Sequence, residues 1–213
     1  TIIARTGRTE TGISVSAYYA QAIAEELDVD PASITVIMGH TDEVPEGGQS
    51  ANLLSGVANL KKAASMTRTA LLGLAAAKLG VPAANLTVTK GVVAGGGRSV
   101  SYADLVRGQR LDLKIPIAGV LPFYDPKEPT GVGSRGGITI SGDVPLKPLD
   151  KYTVVGTDFP RPGIRDIGTA KAQYAGDVSL PGMSTPYASR TGPTFARISI
   201  NSVSVSELCE PFE

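Results

Sequence analysis

From about Ser50 to Leu79 the residues Leu53, Leu54, Val57, Leu60, Ala64, Leu71, Ala75 and Leu79 recur at helical spacing, the longest such pattern in the chain. Asn59, Lys61, Lys62, Ser65 and Arg68 fall between them and are expected to turn outward. Gly80 just past the last apolar position and Pro82 beyond it stop the helix in the usual order, and Gly56 and Gly73 inside it allow a close approach or a bend. A helix with one apolar stripe has to bury that stripe against a second layer, so the pattern constrains everything around it.

The rest of that layer precedes it. In "GRTETGISVSAYYAQAIAEELDVDP", residues 7–31, Tyr19, Ala20, Ile23, Ala24 and Leu27 predict another helix, with Ser14 or Ser16 capping its first turn and Glu25 and Glu26 on the solvent face. The helix should stop at Asp28, ahead of Asp30-Pro31. "SITVIMG" (33–39) alternates like a strand, "NLTVTKGVVAGGGRSV" (85–100) offers two short β segments around glycines, and "SVSYADLV" adds a helical turn. Residues 1–110 are therefore expected to form a β-α-β-α unit with a small β ribbon, a two-layer α+β fold.

Composition then changes. Residues 111–150 are dense in proline and glycine and look like a connector lying over a surface; residues 151–213 are β-rich, with "KYTVVGTD" expected as a strand, "TAKAQYAGDV" as a short strand or turn and "FARISINSVSVSEL" as a strand pair or one long strand. "GVGSRGG" (131–137) lacks the Gly-Lys-Ser/Thr ending of a phosphate loop.

Several functions are disfavoured by what the chain contains. Hydrophobic residues at 42% and charged residues at 19% are globular values, and 20 basic against 20 acidic residues leave no field to attract nucleic acid. No run of about 18 apolar residues suggests a membrane span. One cysteine, Cys209, and one histidine, His40, cannot build an iron-sulfur or a histidine-rich metal site. His40, Asp42, Glu43 and Glu46 cluster in sequence, but in a loop and with a single imidazole, so a solvated acidic loop is expected and no metal. A Ser-His-Asp triad would have to use His40, and no nucleophile-elbow pattern surrounds any serine. Redox chemistry here would need a bound organic cofactor or a partner.

Two helix mouths are the candidates for holding such a cofactor. Gly12, Ile13 and Ser14 lie at the start of the first helix, and Gly48, Gln49 and Ser50 at the start of the second, where free amides and the helix dipole favour an anion. Packed side by side, the two helices would bring these mouths face to face.

The residues that surround the mouths resemble a known family. "GRTETGISVSAYYAQAIAEELDVDPASITVIMGHTDEVPEGGQSANLLSGVANLKKAA", "LLGLAAAKLGVPAANLTVTKGVV" and "RSVSYADLV" resemble the molybdopterin-binding subunit of the molybdenum hydroxylases, in the branch of isoquinoline oxidoreductase and nicotinate or aldehyde dehydrogenase, relatives of xanthine dehydrogenase. "PLKPLDKYTVVGTDFPRPGIRDIGTAKAQYAGDVSLPGM" is similar to the linker and opening of that family's a/b-hammerhead domain, through Gly168, Ala170, Ala172, Tyr174, Asp177 and Leu180 to Met183.

The resemblance implies an oxidoreductase that oxidises an aldehyde or N-heterocycle with water-derived oxygen. It implies a molybdopterin cofactor shared with a partner chain, iron-sulfur clusters on another subunit, and a chain that covers part of a cofactor cleft, in the cytoplasm or the periplasm. Cofactor contacts carry over to Gly12, Ile13, Ser14, Gly48, Gln49 and Ser50. The family's glutamate base, in a Gly-Val-Gly-Glu motif, does not carry over, since "GVGS" (131–134) stands in another context. Where the family has Gly-Gln-Gly this chain has Gly12-Ile13-Ser14, which removes a side-chain donor and adds a Cβ at the point of closest approach. The alternative is a docking subunit of such a complex that has lost cofactor contact.

Overall fold

The computed structural model describes residues 1–10, 12–40, 42–44, 53–118, 139–174, 177–179, 181, 187–190, 196–200 and 203–204. Two compact units divide the chain, Thr1–Ile164 and Arg165–Glu213.

In the first unit β1 (Ile2–Thr6) and β2 (Ile34–Met38) pair in parallel, from Ile2 opposite Ile34 to Thr6 opposite Met38. A parallel pair needs a crossover, and α1 (Val15–Leu27) supplies it. α2 (Leu53–Leu79) follows β2 and so runs in the same direction as α1. Pairings along the two helices agree: Tyr19 stands against Gly56, Glu26 beside Lys61 and Asp28 beside Arg68. Ala20, Ile23, Ala24 and Leu27 of α1 meet Ala64, Leu71, Ala75 and Leu79 of α2 in one core, closed by Val93, Val100, Tyr102 and Leu105. The two-layer α+β plan expected for this part of the chain is thus present.

Both helices stop where the sequence stops them. Asp28 adopts a left-handed conformation after α1, with φ 52°, and Tyr102 Oη donates to Leu27 O at 3.2 Å. Gly80, with φ 68°, ends α2, while Arg98 donates to the last helical carbonyl, that of Leu79. The expected ribbon of two segments is a three-stranded antiparallel meander, β3 (Thr87–Thr89), β4 (Val92–Gly95) and β5 (Arg98–Ser101), leading into α3 (Tyr102–Val106). Of the two helical glycines, Gly56 is the close approach, since a Cβ there would collide with the Tyr19 hydroxyl; Gly73 has open space around it.

Two expectations are corrected by the polar faces of the helices. Ten of the thirteen α1 residues are buried, among them Glu25 and Glu26, which were expected in solvent. Nor do Lys61, Lys62, Ser65 and Arg68 face water alone. Arg68 is taken up by Asp28 at the end of α1, and the cause for the others is the connector: β6 (Ile117–Ala118) pairs with β7 (Thr139–Ile140), and the chain from 140 to 157 then runs across α2 and α1. Along this strap Asn59 Oδ1 accepts from Ile140 N at 3.0 Å, Lys62 Nζ donates to Ile140 O at 2.7 Å, and Ser65 donates to Pro145 O.

"KYTVVGTD" is not a strand. After a 3-10 turn at Leu149–Lys151 the amides of Thr153, Val154 and Val155 turn inward onto one carboxylate, and Gly156, with φ 92°, completes the turn. These contacts keep the strap within the first unit, which continues past residue 150 as far as Ile164.

The short helix α4 (Ile164–Gly168) starts at the last residue of the first unit, and the second unit contains β8 (Tyr187–Arg190), β9 (Ala196–Ile200) and β10 (Val203–Ser204) as an antiparallel sheet in the order β10-β9-β8. The strand pair expected at its end is β9 with β10. Among the described residues no helix is long and apolar enough to cross a membrane.

Candidate cofactor-binding site

The same-direction packing of α1 and α2 puts their N-terminal ends at one end of the layer. Of the two expected mouths, Gly12, Ile13 and Ser14 are described; Gly48, Gln49 and Ser50 lie outside the described residues.

At the α1 mouth neither serine side chain caps the helix as expected. Ser14 stands at the cap position in a left-handed conformation, φ 63° and ψ 36°, without a side-chain cap bond. The cap is Glu10. Its Oε1 accepts from Gly12 N and Ser14 N, both at 3.0 Å, and its Oε2 accepts from Ser16 N at 3.2 Å and from Ser16 Oγ at 3.3 Å. Positive φ at Gly12 (90°) and at Ser14 aims these alternate amides at a common point. Partial burial would push the Glu10 carboxyl up, but the hydrogen bonds from Ser16, Gly12 and Ser14 outweigh it and hold the group below the usual glutamate value. From the far side of the turn Arg161 Nη1 donates to Gly12 O at 3.3 Å, and Ile13 is left 48% exposed.

The amides that would receive an oxyanion are therefore already hydrogen-bonded to the chain's own carboxylate, and this turn does not fit a cofactor as an anion cradle. Beside it, Tyr19 Oη is buried against Gly56 without a hydrogen-bond partner among the described residues, and its phenol is pushed up by that burial, with Arg8 acting in the opposite direction.

The acidic loop holds together only loosely. Glu43 lies 3.4 Å from Arg5 and 3.9 Å from His40, and all three are well exposed. Glu46 falls outside the described residues.

A polar cluster that the sequence does not reveal lies toward the other end of the helices. Glu25 is 0% exposed; its carboxylate accepts from the amides of Thr153 (3.0 Å), Val154 (2.7 Å) and Val155 (2.8 Å) and from Lys147 Nζ (2.7 Å). Burial would raise its carboxyl, but Lys147 and the three amides bring it down to about 2. Lys147 also reaches Asp28 at 2.7 Å, Asp28 accepts two bonds from Arg68 at 2.7 and 3.0 Å, and Glu26 pairs with Lys61, itself stacked 4.8 Å over the Tyr152 ring. Beside the cluster is a cleft of about 870 Å³ lined by Asp28, Arg68, Lys90, Lys147 and Val154. Only the placement of acids and bases on adjacent helices at matching heights hints at this cluster in advance, and that needs the helix direction first.

Comparison with known proteins decides the family. Residues 1–135 match the model of the molybdopterin cofactor-binding domain. The chain belongs to that family. The matched stretch includes β1 to β6 and both helix mouths. A component of the nicotinate dehydrogenase of Pseudomonas putida is 30% identical over 97% of this chain, which covers 16% of that protein. The beta chain of isoquinoline 1-oxidoreductase from Brevundimonas diminuta is also 30% identical, over 58% of this chain and 17% of its own length. The chain thus spans a small part of the relatives it matches. A crystal structure of Cu,Mo-CO dehydrogenase is 22% identical over 67% of this chain and 17% of its own, with a TM-score of 0.44, a likeness too loose to add to the fold.

Proposed function

We propose that the chain is one part of a molybdenum hydroxylase-type oxidoreductase that oxidises an N-heterocycle or an aldehyde with water-derived oxygen, with electrons leaving through iron-sulfur centres on a partner subunit. The observation that carries this is the family match across 1–135, over two parallel helices whose N-terminal ends lie together. The names of the 30%-identical relatives favour an N-heterocycle. Residues 151–213 would supply the hammerhead-like segment of the same subunit, through Gly168, Ala170, Ala172, Tyr174 and Asp177. The remainder of the molybdopterin subunit would supply the glutamate base and the rest of the cleft.

Within the chain, the contribution to the cofactor would fall to Gly48, Gln49 and Ser50, whose backbone amides and, for Gln49 and Ser50, side chains offer donors to an anionic group. Gly12, Ile13 and Ser14 would lend shape to the same site. Replacing Gln49 and Ser50 together by alanine in the native assembly should lower molybdenum and releasable pterin in step. Unchanged contents of both would remove these residues from the cofactor site.

A second reading, a docking part that keeps the family fold without touching the cofactor, is favoured by one observation: Glu10 already fills the α1 mouth. It predicts a stable complex with partner chains in which the Gln49 and Ser50 replacements change nothing.

A further inference from the structure

We infer that the cleft between the strap and the β3–β4 turn is a binding site for a small organic acid, a carboxylate with an apolar body, and that Lys90 is its main contact for the charge. At about 870 Å³ the cleft has the volume of a small-molecule pocket. Its lining divides by chemistry: Val29, Val88 and Leu146 offer apolar surface, while Arg68 of α2, Lys90 of the turn and Lys147 of the strap bring cations from three elements to one space.

The acids among the lining residues are already engaged. Asp28 accepts from Lys147 on Oδ1 and from Arg68 on Oδ2. Glu26 accepts from the Lys147 amide at 3.0 Å and lies 3.3 Å from Lys61, and Asp30 Oδ1 accepts from Ala32 N at 2.8 Å. Lys147 spends its ammonium group on Glu25 and Asp28. Cationic donors are left over: Arg68 Nη1, since Nε and Nη2 are on Asp28, and Lys90, which makes no ion pair among the described residues. A carboxylate takes charge-assisted hydrogen bonds from these two groups, and the apolar wall takes the rest of the ligand.

Lys90 also stands where lysine is not the natural choice. Thr89 pairs with Val92, so Lys90 and Gly91 form a two-residue hairpin turn, with φ of 49° and 76°. Asn-Gly is favoured in such a turn, and a long side chain at positive φ is strained. Gly91 N donates to Asp28 O at 2.9 Å, which fixes the turn beside the carboxylate that Arg68 and Lys147 grip. The strained residue is thus the one that carries a spare charge to the cleft.

The test is titration calorimetry of benzoate into the protein purified with its native partners, with benzamide as the uncharged control. The parent should bind benzoate saturably and benzamide about tenfold more weakly, the factor that one charge-assisted hydrogen bond represents. Lys90→Asn removes the charge but supplies the residue the turn prefers, so it should weaken benzoate binding about tenfold while Tm stays level or rises. Lys90→Arg keeps the charge at the same strained position and should bind benzoate like the parent. The inference is overturned if the parent shows no saturable benzoate binding, if benzamide binds as tightly as benzoate, if Lys90→Asn binds benzoate like the parent, or if Lys90→Arg is as weak as Lys90→Asn.

Discussion

Glu25 shows how much a single side chain can decide. It sits next to Glu26 in a helix, and any pattern of apolar spacing sends both to solvent; instead it is fully buried, since Lys147 and three amides of the strap replace its water. Its carboxyl, at about 2 when folded against an ordinary 4.5, contributes stability that is complete above pH 4.5 and is lost as the pH falls toward 2. The shift corresponds to about 3 kcal/mol. Glu25→Gln should therefore destabilise the protein by about that amount at neutral pH and flatten the acid limb of a stability-against-pH curve measured by urea unfolding; an acid limb as steep as the parent's would contradict it. Tyr19 and Gly56 make a second residue-scale case. Gly56→Ala should cost about 1 to 3 kcal/mol through collision with the Tyr19 hydroxyl, and Tyr19→Phe in the same chain should recover part of it in a double-mutant cycle. Additive effects would show that the hydroxyl is not the obstacle.

Elements were legible where local rules govern them. α1 ends at Leu27 and α2 at Leu79, as proline, glycine and the apolar spacing require, and β2 falls within "SITVIMG". "KYTVVGTD" misleads because alternation signals a strand only if a neighbouring strand accepts its amides, and here Glu25 accepts them. The capping of α1 was hidden for a similar reason: Ser14 has the right position, but Glu10, four residues earlier, has the reach. The strap is an element held by hydrogen bonds to both helices and by ionic contacts, and Lys147 joins it to both Glu25 and Asp28. Lys147→Ala should leave α1 and α2 folded while the amides of Thr153, Val154 and Val155 exchange with solvent at least about tenfold faster. Unchanged exchange there would mean that the amide contacts with Glu25 hold the strap by themselves.

At the scale of the molecule, the sequence carries the family through its motifs around both mouths, and the match over 1–135 agrees with them. It does not carry the division into units, because the break after Ile164 depends on which backbone amides the buried acids capture. Nor does it disclose that one mouth holds its own anion, since that depends on left-handed geometry at Gly12 and Ser14. In the proposed function the molecule would be part of a cofactor wall to which the α1 turn lends shape and Gly48, Gln49 and Ser50 lend contact. The most direct measurement is the molybdenum and pterin content of the protein purified natively with whatever accompanies it. Molybdenum and pterin in near-equal proportion to the chain are the predicted result; a stable complex containing neither would contradict that function.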